Sequence, residues 1–375
     1  MKTALVHEWL TPKATGGSEL VVKEILELID NIELYALIDF ESSNPQSYLY
    51  GRKINTSFLQ HFPLSKNGIQ NYLPLLPIAV EQLNVTEYDL VLSSSHAVAK
   101  GIITTPAQLH ICYCHTPMRY AWDLTFDYLQ RTSPLKGFFA RYFLHKIRQW
   151  DVISAHRVDY FIANSHHTAR RIWRCYRREA EVIYPPVQVD KFPFEAQKSD
   201  FYVIVSRLVS YKKVSLIVEA FNQLGKPLVV IGDGPEYKSI QALAKPNITL
   251  LGSVDDITLK KYLSSAKAFI YGACEDFGIA IVEAQACGTP VIAYGQGGAL
   301  ETVIDIRTHQ DTGTGLFFSS QTVESLVDAV NNFENLLPHF HAENCLINAQ
   351  RFSLQRFQQS YQQFIDQCLY EFSPK

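Results

Sequence analysis

Nowhere in its 375 residues does the chain carry an apolar run approaching the ~18 residues that would span a bilayer, so no segment reads as a transmembrane helix. It has no C-x-x-C pair. Its seven cysteines are odd in number, and Cys112 and Cys114 would point to opposite faces of one strand. That usage argues against a disulfide framework or a zinc site and suits buried free thiols in a reducing compartment. No D-x-D stands ready to hold a divalent ion, so metal independence is expected. A net charge of only -3 gives no global attraction for nucleic acid, and no such partner is expected. Met1 to Glu8 lacks the apolar core of a signal peptide and reads as a strand, which makes the cytoplasm the expected location.

What the chain does have is length and apolar content. Two domains are the default for this size, and 47% hydrophobic residues provide for substantial cores. Strand-like segments alternate with helical stretches: Thr3 to His7, Leu34 to Leu37, Tyr88 to Ser93, His110 to Cys114, Tyr160 to Ala163 and Glu181 to Tyr184. After Pro185-Pro186 the rhythm restarts with Phe201 to Ser206, Leu228 to Ile231, Ile248 to Leu251, Ala268 to Tyr271, Pro290 to Ala293 and Gly315 to Phe318. Such alternation specifies α/β architecture with parallel sheets covered by helices on both faces. Occurring twice, it predicts two Rossmann-like, doubly wound domains, residues 1–186 and 187–353, with a ligand cleft at strand carboxyl ends.

Candidate residues fall at those ends. Glu275-Asp276-Phe277-Gly278 follows a strand and opens a helix that contains Glu283, eight positions after Glu275. Eight helical residues turn through about 800°, leaving the two carboxylates roughly 80° apart. They are suited to grip two parts of a long ligand rather than one atom, with the helix amino terminus between them as a phosphate seat. The competing reading is a helix cap and a paired helix residue. Against it, a helix apolar on nearly every side is buried, so Glu283 needs a partner. Arg207 ends one strand and Lys212 opens the next helix, near enough to converge on a diphosphate, although a solvated basic turn would look the same. Gly232-Asp233-Gly234-Pro235 closes the following strand, and Ser253 and Val254 lie where backbone groups could meet a base edge. In the first half, Thr15-Gly16-Gly17 precedes an amphipathic helix from about Glu19 to Ile29, His115 follows the fourth strand, and Asn164-Ser165 follows the fifth. Each of these alone is also ordinary turn or strand-end chemistry.

Together they resemble the retaining glycosyltransferases of family 4, which have the GT-B fold, over nearly the whole chain. The most specific element is E-x7-E, Glu275 to Glu283, preceded at the family's spacing by Ser206-Arg207-Leu208 with Lys212 and by Gly232-Asp233-Gly234-Pro235-Glu236. His115-Thr116-Pro117-Met118-Arg119-Tyr120 looks like the subgroup that builds bacterial O-antigens and exopolysaccharides. The resemblance implies transfer of a hexose, glucose-like or mannose-like, from a nucleoside diphosphate sugar to a glycan or lipid-linked glycan acceptor, with no cofactor or metal. UDP-glucose and GDP-mannose both occur among similar sequences, and a UDP-sugar is the donor expected here. It implies that Arg207 and Lys212 neutralise the diphosphate, that Glu275 and the backbone of Asp276, Phe277 and Gly278 hold the transferred sugar and phosphate, and that Glu283 binds the ribose. Val254 with Ser253 would contact the base, His115 the region of the anomeric carbon, and Gly16 and Gly17, with Gly232, the donor. The last helix-like stretch, within 354–375, would pack back on the first domain. One departure is Lys212-Lys213 where the family carries lysine-glycine. Rival expectations are another GT-B activity, such as a sugar-nucleotide epimerase or phosphorylase, and a non-catalytic sugar-nucleotide-binding protein.

Between Arg131 and Arg178 stand Arg131, Lys136, Arg141, Lys146, Arg148, Arg157, Arg170, Arg171, Arg174, Arg177 and Arg178 against only Asp151 and Asp159, with aromatics interleaved. This predicts a basic arm, peripheral at the inner membrane face through anionic lipid or serving a lipid-pyrophosphate acceptor. Basic outer faces of ordinary helices are the alternative.

Overall fold

A computed structural model describes residues 1–12, 16–63, 68–130 and 134–372. Thr15 of the glycine motif and Arg131 of the basic stretch lie outside them. The chain divides into two compact units, one of Met1–Pro185 with Phe357–Lys375 and one of Pro186–Arg356.

The first unit is built on a seven-stranded sheet of β1 (Thr3–Leu10), β2 (Ile32–Asp39), β3 (Ile54–Thr56), β4 (Leu90–Ser95), β5 (Leu109–Cys114), β6 (Tyr160–Ala163) and β7 (Glu181–Val182). All pairings are parallel, in the order β3-β2-β1-β4-β5-β6-β7. Successive residues of a strand feed opposite cores. Ala4 and Val6 join Leu37 and Val91 on one face, while Leu5 joins Leu34, Leu92 and Ile111 on the other. Both faces are therefore covered, which is why these strands read as continuous apolar runs rather than alternating ones. The helix Leu354–Phe372 lays Phe357, Tyr361, Ile365 and Cys368, spaced by four, four and three residues, on the second face beside Val21, Val22 and Ile25.

The second unit carries a six-stranded sheet of β8 (Tyr202–Val205), β9 (Leu228–Ile231), β10 (Ile248–Gly252), β11 (Ala268–Tyr271), β12 (Val291–Tyr294) and β13 (Gly315–Phe318). Its order is β10-β9-β8-β11-β12-β13, again all parallel. Tyr202 and Ile204 face one core, Val203 the other. β3 was not anticipated from the sequence, since it is a three-residue edge strand without a buried residue. β4 runs on through Ser94 and Ser95, residues of low strand propensity, because both lie in the buried centre of the sheet.

In each sheet the winding direction reverses once, between β1 and β4 in the first and between β8 and β11 in the second. Loops leaving two adjacent strands at a reversal diverge to opposite faces and open a crevice at the carboxyl ends. Gly16 and Gly17 follow β1, and Arg207, Lys212 and Glu275 follow β8 and β11, at these two places, while His115 follows β5, Gly232 follows β9, and Ser253 and Val254 follow β10.

Candidate functional site

At the reversal in the second sheet, Arg207 leaves β8 and Lys212 closes a short 3-10 turn, Ser210–Lys212, while Glu275 leaves the adjoining strand β11. The ammonium of Lys212 forms an ion pair with Glu275 Oε1, and the Tyr271 hydroxyl donates to Oε2, so both oxygens of the acid are engaged. Arg207 is exposed, and its guanidinium has no side-chain partner among the described residues. An unneutralised guanidinium thus stands on the loop next to a paired lysine and acid. Lys213 occupies the left-handed region (φ 58°, ψ 31°) and precedes the helix Val214–Leu224. A glycine adopts that conformation without penalty, so a lysine at this position holds a backbone geometry that favours glycine.

The loop after β11 is held by close backbone packing. Gly278, at φ 91°, starts the helix Ile279–Ala286, whose Ile281, Val282 and Ala284 are buried. Phe277 is buried with its ring against Phe352, the centroids 5.3 Å apart. Gly298 donates its N–H to the Glu275 carbonyl at 2.8 Å, and a Cβ on Gly298 would stand 2.3 Å from the Phe277 Cα. Gly232 lets the loop after β8 approach as closely, since a Cβ there would stand 1.9 Å from the Ser206 carbonyl oxygen. The glycine pair Gly297-Gly298 was not singled out in the sequence. Its only local signal is two consecutive glycines after a strand, and its contact lies some twenty residues upstream.

Glu283 sits one turn into the same helix, away from Glu275. Burial pushes its carboxyl up to about 7, with Asp256 adding repulsion and Lys260 partly relieving it. Asp256 and Lys260 pair with each other at 2.6 Å on the helix Asp256–Ser265. Ser253 and Val254 lie in the short loop between β10 and that helix, which Asp255 caps by accepting from the Thr258 N–H at 2.8 Å. Asp256 and Lys260 follow directly from that loop, so Glu283 shares its surroundings with the Ser253 segment rather than with Glu275.

The Glu283 shift has a consequence for stability. Its carboxyl ionises near 4.5 in the unfolded chain and near 7 in the folded one, so its favourable contribution is complete below pH 4.5 and is lost as pH rises through 7. The penalty above pH 7 reaches about 3 kcal/mol at 1.36 kcal/mol per unit. Glu283→Gln is therefore expected to melt several degrees above the parent at pH 8 and within a degree of it at pH 4.5. Scanning fluorimetry at the two pH values checks this, and an equal offset at both would refute it.

The first unit has its own cluster. Gly16 caps the helix Gly17–Leu28 in an extended conformation, and Glu19 in the first turn accepts from the Ser18 hydroxyl at 2.9 Å and lies 3.9 Å from His7 Nε2. His115 follows β5, with Nε2 at 2.9 Å from the Ser94 hydroxyl. Its backbone carbonyl accepts from Asn164 Nδ2 at 3.0 Å, which joins two motifs that stand 49 residues apart. Burial, reinforced by the neighbouring His96 and His7, pushes His115 down to about 3, so it is a neutral imidazole throughout the physiological range.

Sequence reasoning missed Glu8 and His96. Glu8 is fully buried and accepts from the backbone N–H groups of His96, Ala97 and Ala99 at 2.7–3.1 Å and from the Ser95 hydroxyl at 3.1 Å, and its Oε2 forms an ion pair with His96 Nδ1 at 2.8 Å. Burial alone would raise its carboxyl, but His96 and these donors hold it well below the usual carboxylate range. A strand glutamate and a loop histidine 88 residues later carry no joint pattern by which they could have been paired.

The basic stretch does not form one outward surface. Arg148 donates to the Ala121 carbonyl at 2.9 Å, Arg157 pairs with Glu81 and bonds the Gly101 carbonyl, both at 2.7 Å, Arg171 pairs with Asp123 at 2.7 Å, and Arg178 donates to the Asp159 carbonyl at 2.7 Å. Those four are committed to internal contacts. Among the described residues no helix is long and apolar enough to cross a membrane, and no group of three or more His, Cys, Asp or Glu is placed to hold a metal ion.

Residues 16–191 match the family model described as Glycosyltransferase Family 4, and residues 188–349 match the model described as Glycosyl transferases group 1. The GDP-mannose-dependent alpha-(1-6)-phosphatidylinositol monomannoside mannosyltransferase of Mycobacterium tuberculosis is 31% identical over 180 residues, 40% of this chain and 45% of that protein. The match thus spans just under half of that relative's length. An uncharacterized glycosyltransferase of Methanocaldococcus jannaschii is 24% identical over 295 residues, 77% of this chain and 78% of the relative. Among solved structures, sucrose-phosphate synthase from Thermosynechococcus elongatus superposes with a TM-score of 0.73 at 16% identity, over 99% of this chain and 100% of the other. Anabaena HepE in complex with UDP-glucose superposes with a TM-score of 0.68 at 19% identity, over 97% of this chain and 99% of the other. At such identities the likeness is one of fold, and the fold is GT-B.

Proposed function

Because the chain belongs to the GT-B glycosyltransferases, a family 4 half followed by a group 1 half, we propose that it moves a hexose from a nucleoside diphosphate sugar to a glycan or lipid-linked glycan acceptor. The observation that carries this reading is the unpaired, exposed Arg207 beside the Lys212–Glu275 ion pair where the second sheet reverses. A guanidinium with no ion-pair partner among the described residues has none to give up when a ligand arrives, and it offers forked contacts to a diphosphate. Lys212 then shares its charge between Glu275 and phosphate. The leaving diphosphate gains negative charge as the glycosidic bond breaks, and Arg207, Lys212 and the amino terminus of the helix Ile279–Ala286 stabilise that charge without a metal. Glu275, held by Tyr271, is the acceptor for a hydroxyl of the transferred sugar. Asp276, Phe277 and Gly278 supply backbone donors, Glu283 binds the ribose, and the Ser253-Val254 loop meets the base. In the first unit, neutral His115 is a hydrogen-bonding group for the sugar near its anomeric carbon, and Gly16 and Gly17 leave room for diphosphate or acceptor. Transfer with retention of anomeric configuration, in cell-surface polysaccharide synthesis at the cytoplasmic side of a membrane, completes the reading.

The donor is read as a UDP-sugar in preference to a GDP-sugar. HepE binds UDP-glucose, whereas the mycobacterial relative is GDP-mannose-dependent, so both nucleotides belong in the test. Thermal melting with UDP-glucose and GDP-mannose is the measurement. A ligand at 100 times its Kd stabilises by about 2.7 kcal/mol, and the UDP-sugar is expected to give the larger shift. Incubation with a glycan acceptor should then lengthen the glycan. Melting unmoved by either nucleotide sugar overturns the donor site, and free hexose or an epimerised donor as the sole product overturns transfer.

A further inference from the structure

The helix Pro134–Ala155 has two unlike faces. Leu144, Ile147, Asp151, Ser154 and Ala155 point into the first unit and are buried. On the other side Phe138 is 68% exposed, Phe139 54%, Tyr142 55% and Phe143 41%. At 100° per residue these four fall within an arc of about 140°. Arg141 and Lys146 are also exposed, Lys146 lying within that arc with its ammonium 5.9 Å from the Tyr142 ring. Phe126, 76% exposed, stands on the neighbouring helix Thr125–Gln130.

The adjoining helix His166–Tyr176 is tied to this one where the Tyr176 hydroxyl donates to Asp151 at 2.9 Å. It adds Trp173, 52% exposed and stacked under the Arg177 guanidinium at 4.3 Å, with Arg170 and Arg174 exposed. Neither helix carries an exposed acid: the first has only Asp151, buried against Lys100, and the second has none.

Four adjacent exposed aromatics are more than the scattered single apolar residues of an ordinary surface. Aromatic side chains flanked by cations on the outward face of a helix are the composition of an interfacial helix that lies in the headgroup region. A second copy of the chain fits less well. A two-fold contact would set this positive surface against itself, with no acid on either helix to compensate.

We propose that Phe138, Phe139, Tyr142 and Phe143 form an aromatic wedge that inserts into the interface of an anionic bilayer, with Arg141 and Lys146 against the lipid phosphates. This differs from attachment by a polybasic arm, since Arg148, Arg157, Arg171 and Arg178 are spent on internal contacts. Apolar insertion is the main attraction, so binding resists salt in a way that charge attraction does not.

The full chain is sedimented with vesicles of phosphatidylglycerol and phosphatidylcholine at 0.1 M and 0.5 M NaCl. Most of the protein is expected in the pellet at both, with affinity falling less than about threefold between them. The variant F138S/F139S/Y142S/F143S is expected to lose at least tenfold in affinity while keeping the parent's melting temperature and donor-induced shift. Parent protein that stays in the supernatant, a variant that pellets like the parent, or release of the parent at 0.5 M NaCl would each overturn the wedge. So would a dimer in sedimentation equilibrium that the four substitutions dissociate, since the face would then belong to a second copy. If F138S/Y142S, tested as a milder pair, also keeps full affinity in a folded protein, the proposal fails without appeal to misfolding.

Discussion

Arg207→Ala should lower kcat by about 100-fold or more while leaving the melting temperature of the free protein within a degree or two of the parent. The first half follows from the role proposed above: loss of one preorganised charge donor on a leaving diphosphate costs roughly 3 kcal/mol of transition-state stabilisation. The second half follows from the structure. Arg207 is exposed and its guanidinium has no hydrogen bond or ion pair among the described residues, so the folded state loses no such bond with it. The combination separates this residue from Lys212, whose removal would also leave Glu275 without its ion-pair partner. Arg207→Lys should recover only part of the rate, because an ammonium cannot make the forked contact. Steady-state kinetics on the three proteins with the donor found by thermal shift, alongside melting curves, is the check. A kcat within threefold of the parent in Arg207→Ala would remove Arg207 from the mechanism.

The largest effect on stability is expected at a place with no part in donor binding. Lys100 is 1% exposed and Asp151 is fully buried, and they form an ion pair inside the first unit. Asp151 also accepts from Trp122 Nε1 at 2.7 Å and from the Tyr176 hydroxyl at 2.9 Å, while the Lys100 ammonium lies over the rings of Trp150 and Tyr176 at 5.5 and 5.2 Å. Lys100→Met keeps most of the side-chain volume but leaves a carboxylate in the interior with neutral donors alone. Breaking a buried pair from one side costs about 3–5 kcal/mol. Replacing both partners, Lys100→Met with Asp151→Leu, removes the stranded charge and should cost less than Lys100→Met alone. Urea unfolding followed by the fluorescence of Trp122 and Trp150 reports on this region directly. A single variant less than 1 kcal/mol below the parent would refute the account.

Asp151 also shows where reading the chain by composition failed. It was the one acid among the basic residues of its helix, noted as an exception, and it turns out to be the group around which Lys100, Trp122 and Tyr176 assemble. Several arginines counted toward an outward basic arm are likewise used inside, and the exposed face of the helix Pro134–Ala155 carries four aromatics beside Arg141 and Lys146. Counting charges along a segment cannot tell which side of a helix faces a neighbour. The helix period alone leaves that open when both sides carry apolar residues.

Local properties were legible. A run such as Ala268 to Tyr271 is apolar at every position because both faces of a parallel strand are buried, and that burial is written into four consecutive residues. The same holds for the helix that begins after Gly278 and for Arg207, Lys212, Glu275 and His115 at strand ends, since a strand's end is marked by the residues that stop it. Two Rossmann-like sheets followed from the repetition of such elements. Strand order did not. That β8 lies beside β11, and so brings Lys212 against Glu275 across 63 residues, depends on which helices cover which face of the completed sheet. That β1 lies beside β4, which places Glu8 against His96, depends on the same. These pairings are set by the sum of many long-range contacts, each weak and none encoded near the residues it joins, and only the folded chain performs that sum.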